Sequence, residues 1–213
     1  MRVIFGLIGY LFVKVREIHE SFKYDSSTIA EKFRKQGAKV GVNCFIQINK
    51  LASEPYLVEI GDNVAIAPGV TLITHDGASV IFRDEFPALR HFGKIIIEDN
   101  CFIGARSIIT AGVRIGKGSV VGPMSVVLRD VKPGSMVIGN PAIQVSTVEK
   151  YKEQCLREWK KQGLDKFSHL FEGKNKLEVQ EIMESEEFRG MLKEHLLSVE
   201  LKSQERKGPE SPL

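Results

Sequence analysis

Much of what would make this chain easy to place is missing. Thirty lysines and arginines against 27 aspartates and glutamates leave a formal net charge of +3. That is too small for the basic footprint of a nucleic-acid binder. Cysteine is scarce. Cys44, Cys101 and Cys155 are an odd number without metal-ligand spacing, which excludes a disulfide framework and fits a reducing cytoplasm. Long apolar runs are also lacking. Val3 to Val13 is the nearest to one and is too short to span a bilayer. Arg2 precedes it as in a signal peptide, but no A-x-A cleavage pattern follows. Ile4, Ile8, Leu11, Val15, Ile18 and Phe22 instead alternate by four and three, so the stretch reads as an amphipathic helix. That helix is expected to cap an open end of the fold. With Arg2, Lys14, Arg16 and Lys23 on it, peripheral membrane contact is its alternative use. The expected location is cytoplasmic, with or without that contact.

What the sequence has is a repeat. An aliphatic residue returns every sixth position at Ile97, Ile103, Ile109, Ile115, Val121 and Val127. Ile60, Ile66 and Leu72 form a second series, and Val40 and Ile46 a third. A period of six matches neither a helix nor a plain strand alternation. It predicts a parallel β-helix of hexapeptide repeats, one strand and one corner per repeat. Four residues after each repeat aliphatic stand Val64, Val70, Cys101, Ser107, Val113, Ser119 and Ser125. All are small or β-branched, as a tight second inward position requires. Cys44 and Cys101 are read as such filling residues.

The chain divides accordingly. Residues 1–38 read as a helical segment, with a second short helix at Ile29–Gln36 begun by a Ser or Thr cap and ended by Gly37. Residues 39–146 read as the β-helix, interrupted by a loop over 76–94. Residues 147–213 read as a helical extension, Thr147–Gln162, Leu177–Met183 and Glu186–Leu201, with a polar, disordered end. The charged face of that extension is read as solvated and is assigned no chemistry.

Chemistry is expected where the repeat fails. The inward position after Leu72 should be small, yet it is Asp76, preceded by His75. The chain then leaves on the long excursion from Gly77 to Gly93. A long loop held at both ends by a rigid scaffold is a usual place for function. Histidine is the side chain best suited to moving a proton near neutral pH.

Four stretches carry a resemblance. They are Pro68-Gly69-Val70-Thr71-Leu72-Ile73-Thr74-His75-Asp76, Ile103-Gly104-Ala105-Arg106 through Gly116, Leu128-Arg129-Asp130-Val131-Lys132-Pro133-Gly134-Ser135, and Gly139-Asn140-Pro141-Ala142. They resemble the hexapeptide-repeat O-acetyltransferases, and Thr74-His75-Asp76-Gly77 with Phe82-Arg83-Asp84 resembles the polysaccharide branch most. The resemblance spans about residues 40–146. It implies a left-handed parallel β-helix, a homotrimer with active sites between subunits, acetyl-CoA as co-substrate, no metal, and a sugar or polysaccharide acceptor. It implies His75 as general base, with Asp76 or a backbone carbonyl orienting it. Around the coenzyme it implies Gly104, Ala105, Pro123, Leu128 and Arg129, and Lys132 is close enough to Arg129 in sequence to help with the phosphates. On the acceptor side Gln47 stands where the family often has a substrate-contacting asparagine, with Asn49 near it, and Arg83, Arg90 and His91 on the loop are read as meeting an anionic or hydroxylated sugar. Two departures stand out. Pro123 lacks the backbone N–H that the family's usual alanine donates, and Ile143 stands where a basic residue is common. Both imply weaker coenzyme binding.

Three other readings follow from the same residues. A sugar N-acetyltransferase is a near alternative. A γ-type carbonic anhydrase needs three converging histidines, and the coil region supplies only His75 and His91. A non-catalytic β-helix scaffold is favoured by Pro123 and Ile143 and opposed by His75 and its loop.

Overall fold

A computed structural model describes residues 28–207. The expected helix over the first residues, with its apolar stripe and membrane contact, lies outside them. Helix α1 (Ile29–Lys35) opens the described chain, with Thr28 at its N-cap position but no side-chain cap bond. Gly37, at φ +97°, ends it in a conformation that suits glycine. Ile29, Ala30 and Phe33 are buried and join the core cluster.

Three parallel faces follow, one per side of a triangular prism. The first holds β1 (Lys39–Val40), β3 (Val58–Ile60), β8 (Ile95–Ile97) and β11 (Arg114–Ile115), with a last bridge at Val131. The second holds β2 (Phe45–Ile46), β4 (Ala65–Ile66), β9 (Phe102–Ile103), β12 (Val120–Val121) and β14 (Ser135–Gly139). Among the described residues the third holds β5 (Thr71–Leu72), β10 (Ile108–Ile109) and β13 (Val126–Val127). Ile60, Ile97 and Ile115 stack on the first face, Ile66, Ile103 and Val121 on the second, and Leu72, Ile109 and Val127 on the third. The six-residue period therefore fixes the register as well as the strand count.

All of these stacked aliphatics are buried, and so are the second inward positions Val64, Val70, Cys101, Ser107, Val113, Ser119 and Ser125. Cys44, half-buried, packs against the same core. The serines need acceptors inside the prism, because a buried hydroxyl without one is costly. Ser107 Oγ donates to the Gly122 carbonyl at 2.9 Å, Ser119 Oγ to Lys132 at 2.9 Å, and Ser125 Oγ to Gly122 at 2.7 Å.

The coils do not run on to Val145. Gly139, at φ +105°, begins a reversal, and β15 (Ala142–Thr147) pairs antiparallel with β14. The prism thus finishes with a strand laid against its last edge, which satisfies backbone groups that another coil would have met.

The chain forms two compact units, Met1–Tyr151 and Lys152–Leu213. The second contains most of α2 (Val148–Lys161), a 3-10 helix at Leu164–Phe171, α3 (Lys176–Glu184) and α4 (Glu186–Lys207). Phe188 is its buried centre, with the rings of Phe167 and Phe171 at 5.9 and 5.5 Å. The 3-10 helix lies between the expected helices Thr147–Gln162 and Leu177–Met183.

Candidate active site

Two interruptions of the repeat meet at one place. The larger is the excursion after Thr74. Its base is a two-stranded antiparallel ladder of β6 (His75–Asp76) and β7 (His91–Phe92), pairing His75 with Phe92 and Asp76 with His91. Gly93 N–H then donates to the Thr74 carbonyl at 2.9 Å and returns the chain to β8. The smaller interruption lies between Ile46 and Ile60, which are fourteen residues apart where two repeats need twelve. The two surplus residues lift the chain off the prism around Ser53–Leu57, where Pro55–Leu57 form a short 3-10 turn.

Glu54 sits on that surplus. Its Oε2 accepts from Thr74 Oγ1 at 2.5 Å and lies 2.9 Å from Nδ1 of His75. The Thr74 hydroxyl, and next the His75 ring, hold the Glu54 carboxyl below its usual value. The His75 ring also lies 5.9 Å from that of Phe92, tilted by 59°. Thr74 is buried, and the His75 side chain is 39% exposed.

Asp76 does not orient the histidine here. Its Oδ1 accepts the Ala78 N–H at 2.8 Å and so caps the 3-10 helix Gly77–Phe82. Adjacent residues on a strand point to opposite sides, so Asp76 faces away from the side on which His75 meets Glu54. Glu54 was missed by the sequence reading. The fourteen-residue gap between Ile46 and Ile60 was the available signal.

His75 lines a groove of about 600 Å³ that runs between residues 47–53 and 69–75. Gln47, Asn49, Lys50, Ser53 and Thr71 share its walls. The groove exists because the first coil has no strand on the third face. Thr71 and Ile73 donate to Ser107 and Ile109 at 2.9 Å each. In a parallel ladder the alternate residues, Val70 and Leu72, turn their backbone groups to the other side. Among the described residues no strand pairs with β5 there. An open β-edge therefore runs along the groove beside His75. Lys32 Nζ, donating to the Asn49 carbonyl at 3.0 Å, anchors the opposite wall to α1. Arg83 and His91 are on the excursion and exposed. Arg90 bonds the carbonyl of its neighbour Leu89.

The residues expected around the coenzyme are spread over three corners. Gly104, Ala105 and Pro123 share the corner between the second and third faces. Leu128 and Arg129 occupy the next corner, between the third and first. Lys132 lies past Val131, on the corner between the first and second, where its carbonyl accepts from Ser119. Proximity in sequence does not bring Lys132 to the corner of Arg129. A Cβ on Gly104 would stand 2.6 Å from the Pro123 nitrogen, so coil stacking alone requires glycine there. The second-face register puts Pro68 and Pro123 on either side of Ala105. Ala105 is thus the one residue of that stack with a backbone N–H to offer, and among the described residues none accepts it. Ile143 is exposed on β15. No three His, Cys, Asp or Glu side chains converge as a metal site among the described residues.

The hexapeptide repeat of succinyl-transferase matches residues 94–127. Protein CapG of Staphylococcus aureus is 43% identical over 129 residues, 59% of this chain and 75% of CapG. The chain belongs to the hexapeptide-repeat acetyltransferase family. It is an acyltransferase, and acetyl-CoA is the family's acetyl donor. Galactoside O-acetyltransferase of Escherichia coli is 37% identical over 107 residues, 48% of this chain and 50% of that enzyme. Among solved structures, a maltose O-acetyltransferase from Clostridium difficile aligns over 55% of this chain and 73% of its own, at 26% identity and a TM-score of 0.47.

Proposed function

We propose that this hexapeptide-repeat acetyltransferase moves an acetyl group from acetyl-CoA to a hydroxyl of a saccharide, with His75 as general base and no covalent acyl-enzyme. The carrying observation is His75 on the wall of a groove that has an open backbone edge. Peptide N–H and C=O groups there suit a ligand whose groups both donate and accept, as sugar hydroxyls do. The name of the galactoside enzyme favours the same acceptor class.

The chemistry needs one base and alignment. The acceptor oxygen attacks the thioester carbonyl while its proton passes to His75. The C–S bond then breaks, and the imidazolium returns that proton to the departing thiolate. The donor is held beside the corner of Ala105, whose free N–H and small side chain fit a polar, close-lying arm. Arg129 supplies positive charge for its phosphates.

We take the working form to be a homotrimer, wound left-handed like its family, with residues 39–146 as the acyltransferase domain and 147–213 as a helical extension. The outward residues of the second face favour assembly. Phe45, Ala65, Phe102, Val120 and Met136 form one apolar stripe by register, with Phe45 and Phe102 43% and 44% exposed. The first face instead shows Lys39, Glu59, Ile96 and Arg114 in register, three of the four charged, with Glu59 paired to Lys39 at 2.7 Å and to Lys94 at 2.6 Å. Apolar against charged outer faces is the contrast expected of a buried and a solvated side. Among the described residues no helix is long and apolar enough to cross a membrane. We place the enzyme in the cytoplasm, and membrane contact by residues 1–27 remains part of the proposal.

The test is release of coenzyme A thiol from acetyl-CoA across a panel of methyl glycosides and amino sugars. An alkali-labile acetyl ester on a glycoside supports the reading. An alkali-stable amide on an amino sugar makes the enzyme an N-acetyltransferase.

A further inference from the structure

We infer that Glu54 is the positioning residue that locks His75 with its proton on Nδ1 and so leaves Nε2 as the basic nitrogen. This rests on the reading of His75 as general base and adds to it a residue from a different coil.

An ionised carboxylate only accepts hydrogen bonds. Across 2.9 Å, the contact between Glu54 Oε2 and His75 Nδ1 therefore requires the proton on the nitrogen. The ring has two nitrogens, so a neutral His75 carries its lone pair on Nε2. The alternative tautomer would set two acceptors against each other.

The carboxylate is itself held. Thr74 Oγ1 donates to the same Oε2 at 2.5 Å, and Thr74 is 1% exposed. Its side chain is confined by the prism. Glu54 is pinned from both directions along the chain. Leu51 and Ala52 before it are buried, and Val58 after the Pro55–Leu57 turn is fully buried. Pro55 also fixes its own φ, which shortens the range of conformations open to the segment. Asp76, the nearest other carboxylate in sequence, is committed to the Ala78 N–H.

The same placement bears on the charged state. When His75 takes the acceptor proton it becomes an imidazolium 2.9 Å from a carboxylate. That charge is met by a partner already in position, which favours the transition state over the neutral ground state. The two-residue slip between Ile46 and Ile60 thus opens the groove and delivers the group that aims its base.

The experiment is nitrogen-15 NMR of the full-length protein, with the His75 signals assigned by their loss in His75→Asn. The wild type should show neutral His75 protonated at Nδ1. Glu54→Ala should lose that signature and release thiol from acetyl-CoA roughly tenfold more slowly or worse, with the KM for acetyl-CoA unchanged. Thr74→Val keeps the volume and removes only the hydroxyl. It should weaken the Nδ1–H signature, and it decides the matter if Glu54→Ala does not fold. Wild-type His75 protonated at Nε2, or an unchanged tautomer and rate in both variants, overturns the inference. An inactive His75→Ala beside a fully active Glu54→Ala overturns the positioning role alone. An active His75→Ala overturns the base as well.

Discussion

Pro123 stacks over Ala105 at the corner between the second and third faces, and the Met124 N–H donates to the Ala105 carbonyl at 2.9 Å. With Pro68 on the other side, two of three stacked positions have no backbone donor. Pro123→Ala restores one there without disturbing the ladder, because the bonds on either side are made by Gly122 and Met124. Coenzyme A should bind a few-fold tighter in that variant, in line with about 1 kcal/mol for one hydrogen bond. Calorimetric titration of both proteins reads it directly.

Gly104 faces the same proline for a different reason. A Cβ there would lie 2.6 Å from the Pro123 nitrogen and 2.7 Å from the Gly122 carbonyl carbon. Backbone cannot swing aside as a side-chain tip can. Gly104→Ala should cost about 1–3 kcal/mol of stability, seen as a lower melting temperature.

The apolar stripe on the second face predicts assembly behaviour. Phe102→Asp puts a charge in the middle of it, 44% exposed in the single chain. Light scattering after size exclusion should find trimers for the wild type and monomers for Phe102→Asp. Arg114→Asp, on the charged first face, should leave the trimer intact.

Acid should act through a defined set of carboxylates. Glu54 is held below the usual 4.5 by Thr74 and His75, Glu59 by Lys39 and Lys94, and Glu98 by the Lys117 N–H and Arg114. Asp99 is held below 3.8 by the Asp62 N–H and Lys117. In each case the folded value lies below the unfolded one. Their contributions are therefore fully present above the ordinary carboxylate range and are lost as pH falls through the lower folded values. The melting temperature should be level from neutral pH down to about 5 on this account and then fall. A melting temperature that rises on acidification below pH 5 contradicts the assignment.

Much of the fold was legible because a strict period constrains residues one by one. Ile97, Ile103 and Ile109 through Val127 fall at intervals of six, and each lies in the core in register. The small residues at Ser107, Ser119 and Ser125 follow the same rule. The closing strand was not legible. Its residues alternate like another coil, and only the left-handed turn at Gly139 sends them back antiparallel. At the site, His75 was visible because a nineteen-residue surplus between Leu72 and Ile109 is hard to overlook. Glu54 was not. Its cause is a surplus of two, and its partner lies twenty-one residues ahead on another coil. Asp76 was the natural choice from adjacency, but strand geometry turns neighbours to opposite sides.

In the proposed reaction His75 moves the acceptor's proton. The direct measurement is steady-state acetyl transfer from acetyl-CoA by wild type and His75→Ala, with coenzyme A affinity and oligomeric state measured on both. In His75→Ala kcat should fall roughly a hundredfold or more, with binding and assembly unchanged. A His75→Ala enzyme that turns over at the wild-type rate contradicts it.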